Sequence, residues 1–218
     1  MGRLSLFAIG ITELRDIFGA APELAQRLRS STARRFPAPA TDPRHRGSLL
    51  GRVGPALKRP IDPPHAPARP TMADCEVLLA GRAVPPERLS YAWQIVLVWL
   101  DELSWGRLDV DLSTKQLTDI EFDLARAGLP TSYGMERLFQ DNPQLPLRPL
   151  PAQRFGYSKN QHADATGQAL SMVISDLSET SIPVVGQLLG FLNQFDNWSV
   201  RAAATGRPAP DLVAIWMG

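Results

Sequence analysis

Apolar residues fall along this chain in two different periods. In "RLSLFAIGI" (3–11), Leu4, Leu6 and Ala8 alternate with Phe7, Ile9 and Ile11, so both faces of an extended segment are apolar. A strand of that kind needs cover on each side and is expected at the centre of a sheet. "DLVAIWMG" at the end of the chain repeats the signal with β-branched and aromatic residues. Between them the period changes to three to four. "TELRDIFG" predicts a short helix capped by Thr12 and stopped by Gly19, and "PELAQRLRS" another with Pro22 in its first turn.

The strongest helical stripe is in 85–103, where Leu89, Ala92, Trp93, Val96, Leu100 and Leu103 recur on one face. Residues 113–128 follow, with Leu117, Ile120, Leu124 and Ala127 in line and a Ser113–Gln116 capping box. "YGMERLF" (133–139) predicts a further turn or two, and "NPQLPLRPLP" (142–151) an extended connector. From Pro183 to about Ala204, Val185, Leu188, Leu192, Phe195 and Ala202 predict one long helix, with Gly206 and Pro208 as its stop. Terminal strands sharing one small sheet, packed against several helices, make an α/β or α+β domain. The expectation is one domain over 1–218.

Residues 34–72 break both periods. Proline recurs there from Pro37 to Pro70 among many arginines, which excludes regular structure over most of the stretch. A solvated arm or long loop is the default. A basic arm docking on an acidic partner or nucleic acid is the alternative. Aromatic residues for base stacking are missing after Phe36, which disfavours single-stranded nucleic acid.

Composition narrows the function classes. The 218 residues are 44% hydrophobic, enough for a sizeable core, and the net charge of +1 selects neither nucleic acid nor membrane. Cys75 is the single cysteine, so no intrachain disulfide forms. Its neighbours Asp74 and Glu76 raise a thiol pKa, which weakens any nucleophile reading. No stretch approaches the roughly 20 apolar residues of a membrane span. The first residues lack the features of a secretory leader or a myristoylation signal, so a soluble cytoplasmic protein is expected. Lysine occurs only at 58, 115 and 159, and the Arg-, Ala- and Pro-rich composition points to a GC-rich bacterial genome.

Candidate chemistry concentrates in "RFGYSKNQHADA" (154–165). Ser158 with Gln161 three residues on reads as a second capping box, which assigns the polar cluster to helix initiation after a short strand. A strand-to-helix junction is also where such folds bind anions and place catalytic groups, so Tyr157, Lys159 and His162 are candidate binding residues. Asp101 is a candidate rim carboxylate beside Glu102. Trp105 and Trp198 are core residues or mark a contact surface, and Tyr133 follows a helix exit. There is no GxGxxG, Walker loop, GxSxG, HExxH or paired CxxC, and His45, His65 and His162 are scattered. No metal, cofactor or catalytic residue is assigned.

Several phrases taken together, "GRAVPPERL…AW…WLDELSWG", "FDLARAGLPTSYG", "LPLRPLP", "GY" and "GRPAPDLVAIW", resemble an uncharacterised actinobacterial family defined as a domain of unknown function. The order of elements is more distantly similar to the YfbM-like bacterial family. The resemblance covers the first strand and most of the chain from about residue 76. It implies an α/β fold and transfers no catalytic residue. By analogy with small bacterial domains of this kind, another protein is the expected partner, in an immunity or accessory role. A small-molecule-binding protein or enzyme with its pocket at 154–165 is the alternative. The sequence leaves the oligomeric state open.

Overall fold

The computed structural model describes residues 2–38, 68–139 and 141–217. Strands β1 (Arg3–Ile9), β2 (Arg107–Asp111), β3 (Gln153–Ser158) and β4 (Asp211–Met217) form one sheet in the order β2-β1-β4-β3. Every neighbouring pair is antiparallel, so the fold is α+β. The two terminal strands lie at the centre, as their two apolar faces require. Leu4, Leu6, Ala8, Leu212, Ala214 and Trp216 enter one core. Phe7, Ile9, Val213 and Ile215 enter another on the opposite face.

Helices cover both faces. On the Phe7 side lie α1 (Ile11–Asp16), α2 (Pro22–Arg35), α3 (Met72–Leu79) and α4 (Leu89–Leu103). Trp93, Val96, Trp99 and Leu100 of α4 are fully buried there. The Trp99 indole donates to the Thr32 hydroxyl at 2.8 Å, which fixes α4 against α2. Burial in this core pushes the Cys75 thiol up, against the opposing effect of a hydrogen bond with Thr32. On the Leu6 side lie α5 (Thr114–Arg126), α6 (Asn160–Val173), α7 (Ile182–Leu192) and α8 (Phe195–Ala204).

Some local expectations are corrected. The single helix over 183–204 is two, because Asn193 closes α7 and the Gln194 amide donates back to Phe191 O at 3.1 Å, a tightened last turn. Phe191, Phe195 and Trp198 then meet edge-to-face across the break at 5.1–5.8 Å, and Trp198 is buried, not part of an exposed contact surface. The first helix is capped at Gly10, not Thr12, with the Glu13 carboxylate accepting from the Gly10 amide at 3.2 Å. Strand β1 therefore ends at Ile9 and Ile11 is helical. Helix α2 runs on to Arg35, and α3 begins at Met72 with a Thr71–Asp74 capping box. The rest of the expected arm, 39–67, lies outside the described residues, as do His45 and His65. Among the described residues no helix is long and apolar enough to cross a membrane.

Two buried carboxylates anchor the helical layers. Asp74 accepts from Arg88 at 2.8 and 2.5 Å and from Thr71. Burial pushes its carboxyl up, but these bonds outweigh that and leave it below the ordinary range. Asp123 at the end of α5 accepts from the Ser178 amide and hydroxyl, each at 2.7 Å, and from Arg126 at 2.6 Å. The Ser178 hydroxyl and amide, with Ser181, bring it down to about 2.

Candidate functional site

The sheet register brings two strand-to-helix junctions to one place. Strands β1 and β3 both run antiparallel to β4, so their C-terminal ends flank the start of β4. At one end of the ladder Ile9 faces Asp211, and Ser158 faces Leu212. Helix α1 leaves β1 through Gly10, and α6 leaves β3 through Lys159. Their first turns therefore open toward the same point, where unpaired amides and the helix dipoles favour negative charge.

Asp211 supplies that charge. Its Oδ2 accepts from the Ile11 amide at 3.0 Å, and its Oδ1 accepts from the Asn160 amide at 3.0 Å. The Lys159 ammonium lies 3.4 Å from Oδ2. Asn160 completes the junction by donating through Nδ2 to Pro210 O at 2.7 Å and to Ser199 Oγ at 3.2 Å. One buried carboxylate thus serves helices on opposite faces of the sheet. Beside it, Arg207 pairs with Glu13 at 2.7 Å and donates to Leu103 O at 2.6 Å.

The expected Ser158–Gln161 capping box is corrected by this geometry. Ser158 is the last residue of β3 and is buried, and the N-cap of α6 is Lys159, whose side chain makes no cap. The capping carboxylate is supplied by Asp211, distant in sequence. The sequence carries one signal for it: a carboxylate opening an otherwise apolar, two-faced strand in "APDLVAIW" has to be satisfied where it is buried.

Lys159 stands between two hollows. An open cavity of about 440 Å³ lies over the junction, walled by Gly10, Thr12, Lys159, Gln161, Pro208 and Asp211. A groove of about 310 Å³ lies on its other side, walled by Arg137, Asp141, Ser158, Lys159 and His162. His162 stacks on Tyr133, with ring centroids 5.5 Å apart and planes 26° apart. The Lys159 ammonium is 5.5 Å from the Tyr157 ring centre. Tyr157 itself packs against the opposite core from α6, so the candidates Tyr133, His162 and Lys159 come together while Tyr157 only borders them.

Asp101 and Trp105 lie elsewhere. Asp101 is exposed and pairs with Arg107 at 3.2 Å. Trp105 is half-buried, with the Arg207 guanidinium 4.4 Å and the Arg201 guanidinium 5.2 Å from its ring centre. Its indole N–H is buried without a hydrogen-bond partner among the described residues. Sequence reasoning did not single out Arg137 or Asp141; Arg137 is brought to the groove by the Met135–Phe139 turn packed against β3, and Asp141 by its bridge to Tyr157. Gly156 permits that packing, because a Cβ there would lie 2.5 Å from the Phe139 Cα. Among the described residues no group of three His, Cys, Asp or Glu side chains is placed to hold a metal ion. Comparison with protein-family models, curated proteins and solved structures finds no match for this chain.

Proposed function

We propose that this is a bacterial protein of the actinobacterial family its motifs resemble, acting in the cytoplasm through contacts with another protein, in an immunity or accessory role. One observation carries the protein-contact reading. Phe122, Met172 and Val200 are 72%, 74% and 71% exposed, and all three lie on helices of the same layer, α5, α6 and α8. Large apolar side chains left this open on one layer are the raw material of a binding surface. The test is capture of partners from the native host by the wild type and by the triple variant Phe122→Ser, Met172→Gln, Val200→Gln. Proteins reproducibly held by the wild type and lost by the folded variant support the reading. Identical capture by both contradicts it.

A second reading places a small-molecule site in the groove between Lys159 and His162. It is favoured by the His162–Tyr133 stack, which sets the imidazole in the groove wall. A metabolite that co-purifies with the wild type and is lost from His162→Ala supports it. The same metabolite retained by His162→Ala removes His162 from any such role.

A further inference from the structure

The two edges of the sheet are finished differently. At the β3 edge the Tyr157 amide donates to Asp141 O at 3.1 Å, and the Gln153 amide donates to Leu150 O at 3.0 Å, so flanking chain covers it. At the β2 edge no backbone hydrogen bond of this kind is made among the described residues. The Leu112 amide donates to Gly2 O at 2.8 Å, which fixes the phase of the β1–β2 ladder. Leu108, Val110 and Leu112 turn their backbone groups toward β1, and Arg107, Asp109 and Asp111 turn theirs away from the sheet. No backbone hydrogen bond from another segment reaches those three among the described residues.

The side chains of the open edge make it self-complementary. Natural edges are blunted by short strands, proline or charged side chains, and β2 is both short and charged; what sets it apart is that its charges are of opposite sign. Here Arg107 and Asp109 carry opposite charges two residues apart, and they already attract one another at 2.8 Å. In two copies of β2 laid antiparallel about a two-fold axis at Leu108, Arg107 faces the partner's Asp109, and Asp109 faces the partner's Arg107. These are also the residues whose N–H and C=O point outward, so each pair exchanges both backbone hydrogen bonds. The half-buried Leu108 meets its own copy between them, on the face that carries the Leu6 core.

We propose that β2 is a self-association edge, across which a second copy of this chain continues the sheet by antiparallel pairing in that register. A two-fold interface of this kind is isologous, each copy giving the same strand. It goes beyond the proposed function and uses none of its residues, so it stands or falls separately from Phe122, Met172 and Val200. The strand is short, and association in the micromolar range is expected.

Sedimentation equilibrium tests it by charge exchange. The wild type is expected to approach twice the chain mass as loading rises. Arg107→Asp sets carboxylates against each other in both pairs, and Asp109→Arg sets guanidinium groups against each other, so each variant alone returns to the mass of one chain. An equimolar mixture of the two restores unlike charges in both pairs and is expected to recover the doubled mass. A wild type that stays at one chain mass overturns the proposal, as do single variants that still dimerise or a mixture of folded variants that does not. Asp109 also holds Ser5 at 2.5 Å and Arg3 at 3.1 Å, so Asp109→Arg is first checked for native circular dichroism. Should it fail to fold, Leu108→Cys decides instead. Cα atoms of a facing non-hydrogen-bonded pair lie about 4.5 Å apart, within disulfide reach. Oxidation should then give a covalent dimer that is lost when Arg107→Asp is added. No covalent dimer, or one indifferent to Arg107→Asp, overturns the proposal.

Discussion

Single residues here are constrained mostly by close approach and by buried charge. Gly156 is the plainest case of the first. Any side chain at 156 meets the Phe139 backbone, which cannot swing aside as a flexible side chain would. Gly156→Ala is expected to destabilise the fold by about 2 kcal/mol, in the range of an overpacked core, as read by urea unfolding. His162→Ala removes one ring stack and is expected to cost only about 1 kcal/mol in the same assay. A much larger loss would mean that the imidazole holds more of the fold than its contact with Tyr133 accounts for.

At the scale of elements, carboxylates join helices that are far apart in sequence. Asp123 is charged in the folded state down to about pH 2, whereas an unfolded aspartate takes up its proton near 3.9. Its contribution is therefore fully present above about pH 4 and is lost as pH falls toward 2. Urea midpoints measured across that window should fall with pH, and Asp123→Asn should fall less steeply. Equal slopes would contradict the tie between α5 and the Ser178 turn. The same scale shows what was legible in the sequence. The two-faced strands β1 and β4 and the stripes of α4 and α5 were readable because each pattern is local and long. Strand β2 was not, because "RLDVD" is short and carries charge on its outward face. The break at Asn193 was hidden because the apolar stripe continues in phase across it. At the candidate site, Lys159, His162 and Tyr133 were legible as polar residues near a junction. The partners of Asp211 were not, since the helices it caps begin 200 and 51 residues away.

For the whole molecule, the first and last strands lie together at the centre of the sheet. Trp216 is 7% exposed, and its indole donates to Leu112 O at 3.1 Å. Trp216→Ala is expected to cost about 3–5 kcal/mol, and deletion of 211–218 to leave an insoluble or molten chain. A truncated protein with an unchanged unfolding midpoint would contradict the central place of β4. The anion seat between the two junctions is filled by the chain itself, with Asp211 fastening both helical layers to one sheet end. Losing two hydrogen bonds to a carboxylate, at about 1.5–3 kcal/mol each, is a large share of a domain's stability. Native-state amide exchange on Asp211→Ala tests this most directly. The Ile11 and Asn160 amides should lose protection together, while amides inside β1 and β4 remain the slowest relative to the variant's own global stability. Unchanged protection at both amides, or loss at only one, would contradict it.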